Sequence, residues 1–176
     1  MASAANRKMF WGVVLGVVVL DLVTKLIVVR SLPSHMPVRV AGDWVTLQLV
    51  YNRGAAFGIH VGDYSRVVFT ALALLALVVL GTMVKQTSED QRVRLLALGL
   101  VCGGAVGNLI DRIRSARGVV DFIDVGVGAL RWPTFNVADM AVTCGAITLA
   151  LVLWAEGRHV EDGPPEQEKG AAPAAP

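Results

Sequence analysis

The chain is short of the residues on which most enzyme chemistries are built. Its two cysteines, Cys102 and Cys144, both lie in apolar runs. They offer neither a disulfide framework nor metal-ligand spacing, and they read as small apolar packers. The three histidines, His35, His60 and His159, are scattered, and H-E-x-x-H is absent. No metal and no cofactor is therefore expected. No histidine lies beside a serine within a nucleophile motif. Lys25, the candidate for a Ser/Lys arrangement, has Asp21 as its ready partner, so nucleophilic catalysis ranks low. Charged residues are only 17% of the chain and the net charge is +2, which gives no basis for binding nucleic acid. There is no internal repeat at solenoid spacing.

What fills the chain instead is apolar. Hydrophobic residues are 55% of the 176, and mean hydropathy is +0.60, unusual for a soluble domain of this length. Four runs, 10–29, 67–84, 93–110 and 140–154, have the roughly 20 residues that cross about 30 Å of hydrocarbon, the last if its first turn from Asn136 is included. The first run follows Arg7 and Lys8, as a signal peptide would. It is longer than an ordinary h-region and no A-x-A-like site follows it, so it reads as an uncleaved helix. Four crossings return both termini to one side and place Trp11 and Trp154 at the same interface. Charge does not orient the bundle cleanly. Arg7, Lys8, Lys85, Arg92 and Arg94 favour a cytoplasmic side for the termini, but Arg112, Arg114, Arg117 and Arg131 lie in the opposite loop. "KQTSEDQR" is a short polar helix connection. A single membrane domain is expected over 1–156, with a disordered Pro/Ala/Glu-rich tail over 157–176.

The two long loops, 31–66 and 111–138, do not look like linkers. "DWVTLQLVYN" alternates, with Val45, Leu47, Leu49 and Tyr51 on one face, and "AGD" before it suits a turn. "GVVDFIDVGVGALRW" also reads as strand, broken by Gly126 and Gly128. A small β element is expected at the membrane interface or against protein, because lipid does not tolerate open strand edges.

Three stretches bring polar groups to the bilayer. In "LDLVTKL", Asp21 and Lys25 face each other at i, i+4, which reads as a structural ion pair. A proton or ion relay would need acids at matching depth, and the interiors of the second and third runs hold none. In "GGAVGNLIDRIR", Gly103, Gly104 and Gly107 allow close helix approach. Asn108 and Arg112 then share a face, and spacing alone leaves open whether they pack or line a site. In "FNVADMAVTCG", Asn136 suits an N-cap and Asp139 falls at N3, where an acid bonds back to the cap.

Capping does not account for a second acid, Asp121, in the apolar setting "GVVDFI". If that strand folds over the start of the fourth helix, two carboxylates meet where water is scarce. Such a pair shares a proton: the ionised member takes a proton from water while the protonated member donates to a peptide carbonyl. Spacing does not choose Asp121 over Asp111 or Asp124.

"DLVTK" (21–25), "YNRGAAFG" (51–58), "GGAVGNLIDR" (103–112), "GVVDFI" (118–123) and "FNVADMAVTCG" (135–145) together, and in this order, resemble the lipoprotein signal peptidase (signal peptidase II) family of membrane aspartyl peptidases. The resemblance implies an all-α membrane bundle of four transmembrane helices with a small extracytoplasmic β-cradle and a short helix. It implies a bacterial plasma-membrane enzyme with both termini cytoplasmic and the active site near the outer leaflet. A monomer among membrane lipid is expected. The substrate it implies is a diacylglyceryl-modified prolipoprotein, cut just before the lipidated cysteine. The implied catalytic dyad is Asp121 and Asp139. Asn52, Asn108, Arg112 and Asn136 match substrate-contacting positions, and Asp21 and Lys25 match a supporting one. "NRGAAFG" is expected to form a loop and the start of a helix that closes over the site. Leu22 stands where many members have Gln, and Arg53 where some have Thr. Two other readings of the intramembrane charges are a small transporter and a scaffold in which Asp139 is only a cap.

Overall fold

The computed structural model describes residues 4–33, 36–54, 61–88 and 90–161. Its element order is α1 (Ala4–Ser31), β1 (Val38–Ala41), β2 (Val45–Asn52), a 3-10 turn (Gly62–Tyr64), α2 (Ser65–Gln86), α3 (Arg92–Arg114), β3 (Val119–Val127), β4 (Leu130–Arg131) and α4 (Val137–Glu161). All four helices are long and apolar enough to cross a membrane. Each runs a few residues past its apolar stretch. The end of α4 passes Gly157 and reaches Glu161, so the first residues of the expected tail are helical; the rest of it lies outside the described residues. Residues 55–60, which hold most of the expected closing loop and helix, also lie outside them.

Large apolar side chains on α1, α2 and α4 point outward, among them Leu15, Leu20, Ile27, Leu75, Val78, Ile147 and Leu151. That pattern suits hydrocarbon as the surrounding solvent, where apolar burial no longer drives helix association. Close packing does so instead, and α3 is its centre, with α1, α2 and α4 each lying against it. The glycines of α3 set how near its neighbours come. A Cβ at Gly103 would crowd Val17 of α1. One at Gly104 would collide with the Ala138 carbonyl of α4, and one at Gly107 would press on the Asp21 carboxylate. Phe10, Val14, Leu80, Leu98 and Cys102 form the apolar core toward the end of the bundle that holds both termini.

At the other end of the bundle sits a four-stranded antiparallel sheet in the order β1-β2-β3-β4. Its central pair sets Val50 opposite Asp121 and Asn52 opposite Val119, with a bulge between Leu47 and Val50. β1 has no counterpart in the sequence reading. It pairs with β2 through the expected turn, where Gly42 takes φ +53°. β3 does not break at Gly126. It runs through to Val127, because a bare Cα at 126 lets the β4 backbone approach, and the chain turns at Gly128. Ile123 and Phe135 exchange backbone hydrogen bonds of 2.8 and 3.0 Å, which fastens the chain just before α4 onto β3. Where α2 begins and α3 finishes, at this same end, Arg66 donates to the carbonyls of Arg112 and Ile113, capping α3 from another helix.

The glycine contacts predict a sharp contrast. Gly104→Ala forces a methyl into the α4 backbone and should destabilise by about 1–3 kcal/mol. Gly16→Ala, on α1 with nothing within 4 Å, should be neutral. Thermal unfolding of the two variants in the same detergent measures the difference.

Candidate active site

The fastening of Phe135 to Ile123 brings together the two acids singled out in the sequence. Asp121 projects from β3 and is buried, and Asp139 stands in the first turn of α4, half-buried. Both line one cavity of about 920 Å³. Asparagines link them. Asn136 donates from Nδ2 to Asp121 Oδ1 at 2.6 Å and to Asn108 Oδ1 at 3.1 Å. Asn108 in turn donates to Asp139 Oδ1 at 2.7 Å. Asn52 closes the far side, with Nδ2 2.9 Å from Asp121 Oδ2 and its own oxygen accepting from the Gly54 N–H. Gly118 makes this approach possible. It sits at φ +109°, and any Cβ there would run into the Asn52 backbone.

The reciprocal cap at the start of α4 is formed as its spacing suggests. The Asn136 side chain accepts from the Asp139 N–H at 2.9 Å, and Asp139 Oδ2 accepts from the Asn136 N–H at 3.1 Å. Capping and clustering are therefore not alternatives. The cap aims Asp139 Oδ1 at Asn108 while its other oxygen serves the helix end.

Burial pushes the Asp121 carboxyl up, the neighbouring Asp139 charge pushes it further, and the amides of Asn52 and Asn136 pull it partly back, leaving it at about 6. A carboxyl so placed holds or yields a proton near neutrality. The Arg112 guanidinium lines the same cavity. It reaches the carbonyls of Asn108 and Gly54 at 3.4 Å, and its charge acts on Asp139, Asp121 and Asp111. Trp132, Pro133, Phe135, Met140, Val142 and Cys144 extend the cavity along α4 as an apolar wall. Asn136 is fully buried behind the carboxylates and is not among the residues lining the cavity.

The other acids considered alongside Asp121 have different commitments. Asp124 is gripped by Arg131, at 3.0 Å through Nε and 2.9 Å through Nη2, and by the Thr46 hydroxyl at 2.8 Å. Burial raises its pKa, but these bonds outweigh that and hold it below the ordinary carboxylate value. Asp111 is engaged by Lys25 at 2.9 Å and by the Val120 N–H at 3.2 Å. The Asp21–Lys25 pair is formed at 2.7 Å and buried in the bundle. The clasp of Arg131 on Asp124 escaped the sequence reading. Its signal was the hairpin turn at Gly128, which sets Arg131 opposite Gly126 on the neighbouring strand. Among the described residues, no group of three or more His, Cys, Asp or Glu could hold a metal ion.

Residues 13–155 match the family model described as signal peptidase (SPase) II. The lipoprotein signal peptidase of Syntrophotalea carbinolica is 43% identical over 145 residues, covering 81% of this chain and 89% of its own. That of Burkholderia mallei is 41% identical over 140 residues, covering 78% and 82%. A bacterial membrane enzyme solved by the in meso method at 2.3 Å resolution superposes with a TM-score of 0.79 at 27% identity, covering 89% of this chain and 94% of that one. A second, at 1.9 Å resolution, gives 0.72 at 29% identity. The chain therefore belongs to the signal peptidase II family of aspartic peptidases and is a bacterial membrane protein that removes signal peptides.

Because Asp124 is spent on Arg131, Asp124→Asn should lower the melting temperature at neutral pH yet leave turnover per folded enzyme unchanged. Its native pKa lies below the unfolded value, so its contribution to stability is present above the ordinary carboxylate range. It is lost as pH falls through the native value. The gap between variant and wild type should therefore close on acidification, as read by melting curves across pH.

Proposed function

We propose that the chain cleaves prolipoproteins immediately before the cysteine that carries a diacylglyceryl group, with Asp121 and Asp139 as its catalytic dyad. The observation that carries the reading is the shared cavity, polar at Asp121, Asp139, Asn52, Asn108 and Arg112 and apolar along α4. An extended peptide lies along the polar end, and the acyl chains run down the apolar wall into lipid.

Water bound between the carboxylates attacks the scissile carbonyl carbon. Asp139 takes the water proton, and Asp121, carrying the shared proton, gives it to the carbonyl oxygen. The tetrahedral intermediate collapses when the proton on Asp139 passes to the leaving amine and the diol returns one proton to Asp121. Each transfer is short because both acids are held by donors that do not move. Arg112 and the amides of Asn52 and Asn108 hold peptide carbonyls and keep the cleaved bond over the dyad. Asn136 acts from behind, orienting both carboxylates, in place of the direct substrate contact expected of it.

The sheet and site lie at the outer leaflet and both termini in the cytoplasm, as secreted precursors require. Residues 1–156 act as one peptidase unit and as a monomer within lipid. The outward apolar side chains of α1, α2 and α4 support its place within lipid.

Asp121→Asn and Asp139→Asn should each lower kcat by about 10²- to 10⁴-fold, with the protein still folded and inserted. Cleavage of a purified diacylglyceryl prolipoprotein, followed by mass, is the measurement, and equal cleavage by wild type and Asp139→Asn would reduce Asp139 to a cap. The pH profile gives a second check. In the free enzyme the proton on Asp121 is lost as pH rises through about 6, so kcat/KM should fall on that side. Bound substrate excludes water and raises the carboxyl further, so the same limb in kcat should lie at higher pH.

A further inference from the structure

Resting on the dyad reading above, we propose that the triad of buried Asp21 and Lys25 with half-buried Asp111 is the positioning frame of the catalytic carboxylates, with Lys25 at its hub. Lys25 is 3% exposed and bonds to three groups at once: Asp21 at 2.7 Å, Asp111 at 2.9 Å and Asn108 Oδ1 at 3.0 Å. Each of these groups reaches one step further. Asp21 Oδ1 accepts from the Ala138 N–H at 2.9 Å, and Asp111 Oδ2 accepts from the Val120 N–H at 3.2 Å. Ala138 and Val120 are the residues just before Asp139 and Asp121. The triad thus grips the backbone immediately ahead of both catalytic acids, on two segments that are remote in sequence.

The third arm fixes an amide. Lys25 can only donate, so it turns the Asn108 oxygen toward itself, where the Asn136 amide also donates. The Asn108 NH2 is left facing Asp139. A reversed amide would set oxygen against carboxylate. Gly107 completes the arrangement, since a side chain there would press on the Asp21 carboxylate.

An ion pair kept only for packing needs none of this directionality. A triad with all three members aimed at the dyad does. The groups around the dyad are Asp139 and Asn136 from the α4 segment, Asn52 from β2, Asn108, Asp111 and Arg112 from α3, and Lys25 from α1. Lys25 is the cation among them that touches a carboxylate ligand without lining the cavity.

The test is the kcat and KM of wild type, Lys25→Met and Lys25→Met/Asp111→Asn on a diacylglyceryl prolipoprotein. Active sites are titrated with a transition-state isostere, and melting temperatures are taken alongside. Lys25→Met should lose about 10- to 100-fold in kcat per titrated site, the scale of a misplacement near 1 Å, with KM changed little. It should also melt lower, since it leaves buried acids uncompensated. The double variant removes one of those acids and should recover melting temperature while kcat stays low. Recovery of kcat together with melting temperature, or an unchanged kcat per titrated site in Lys25→Met, would overturn the proposal and leave a structural ion pair. A folded wild type that does not cut would overturn the peptidase reading and this inference with it.

Discussion

The exchange of backbone hydrogen bonds between Ile123 and Phe135 joins the strand that carries Asp121 to the turn that launches the helix carrying Asp139. Without it the two acids would belong to independent parts of the molecule. With it, the next residue, Asn136, falls between them, its side-chain amide donating to the Asp121 carboxylate and its backbone N–H to that of Asp139. The contact of Asn136 with the Asp121 carboxylate depends on that short two-residue bridge. It also explains why the sheet is small. Its work is to carry β3 to the start of α4 and to hold Asn52 opposite Val119, and four short strands suffice for that.

A second constraint is the cost of charge where water is scarce. Among the described residues the acids near the bilayer are all provided for, but in different ways. Asp124 is neutralised by an arginine and Asp21 by a lysine. Asp121 and Asp139 are answered by amides instead, and burial, with the Asp139 charge beside it, raises the Asp121 carboxyl to about 6. The acids held by cations and the acids held by amides differ in this choice of partner.

The four helices were legible from apolar runs because hydrocarbon allows almost nothing else to cross it. The reciprocal cap of Asn136 and Asp139 was legible for a similar reason: it is local, and a spacing of three residues fixes it. Asp121 was visible as an acid in apolar company, but its meeting with Asp139 was not. That depends on the pairing of Phe135 with Ile123, which leaves no periodic trace. Arg66 capping α3 and Arg131 holding Asp124 were hidden likewise, since side chains reaching between elements obey no repeat. β1 escaped because "VRVA" is too short to show alternation, and Gly126 misled because a glycine inside a strand looks the same whether it ends the strand or admits a neighbour.

The i, i+4 placement of Asp21 and Lys25 bears on the order in which the molecule is made. α1 precedes α3 and α4 in the chain, so Asp21 and Lys25, the two ionisable groups within its apolar run 10–29, emerge before their later partners. Paired on one helix turn, they enter as a neutral unit. Each still has capacity for another bond, and these are taken up only when Asp111, Asn108 and Ala138 arrive. The last of these belongs to α4, the final helix to emerge. The buried network of α1 is thus closed only by the last helix of the chain.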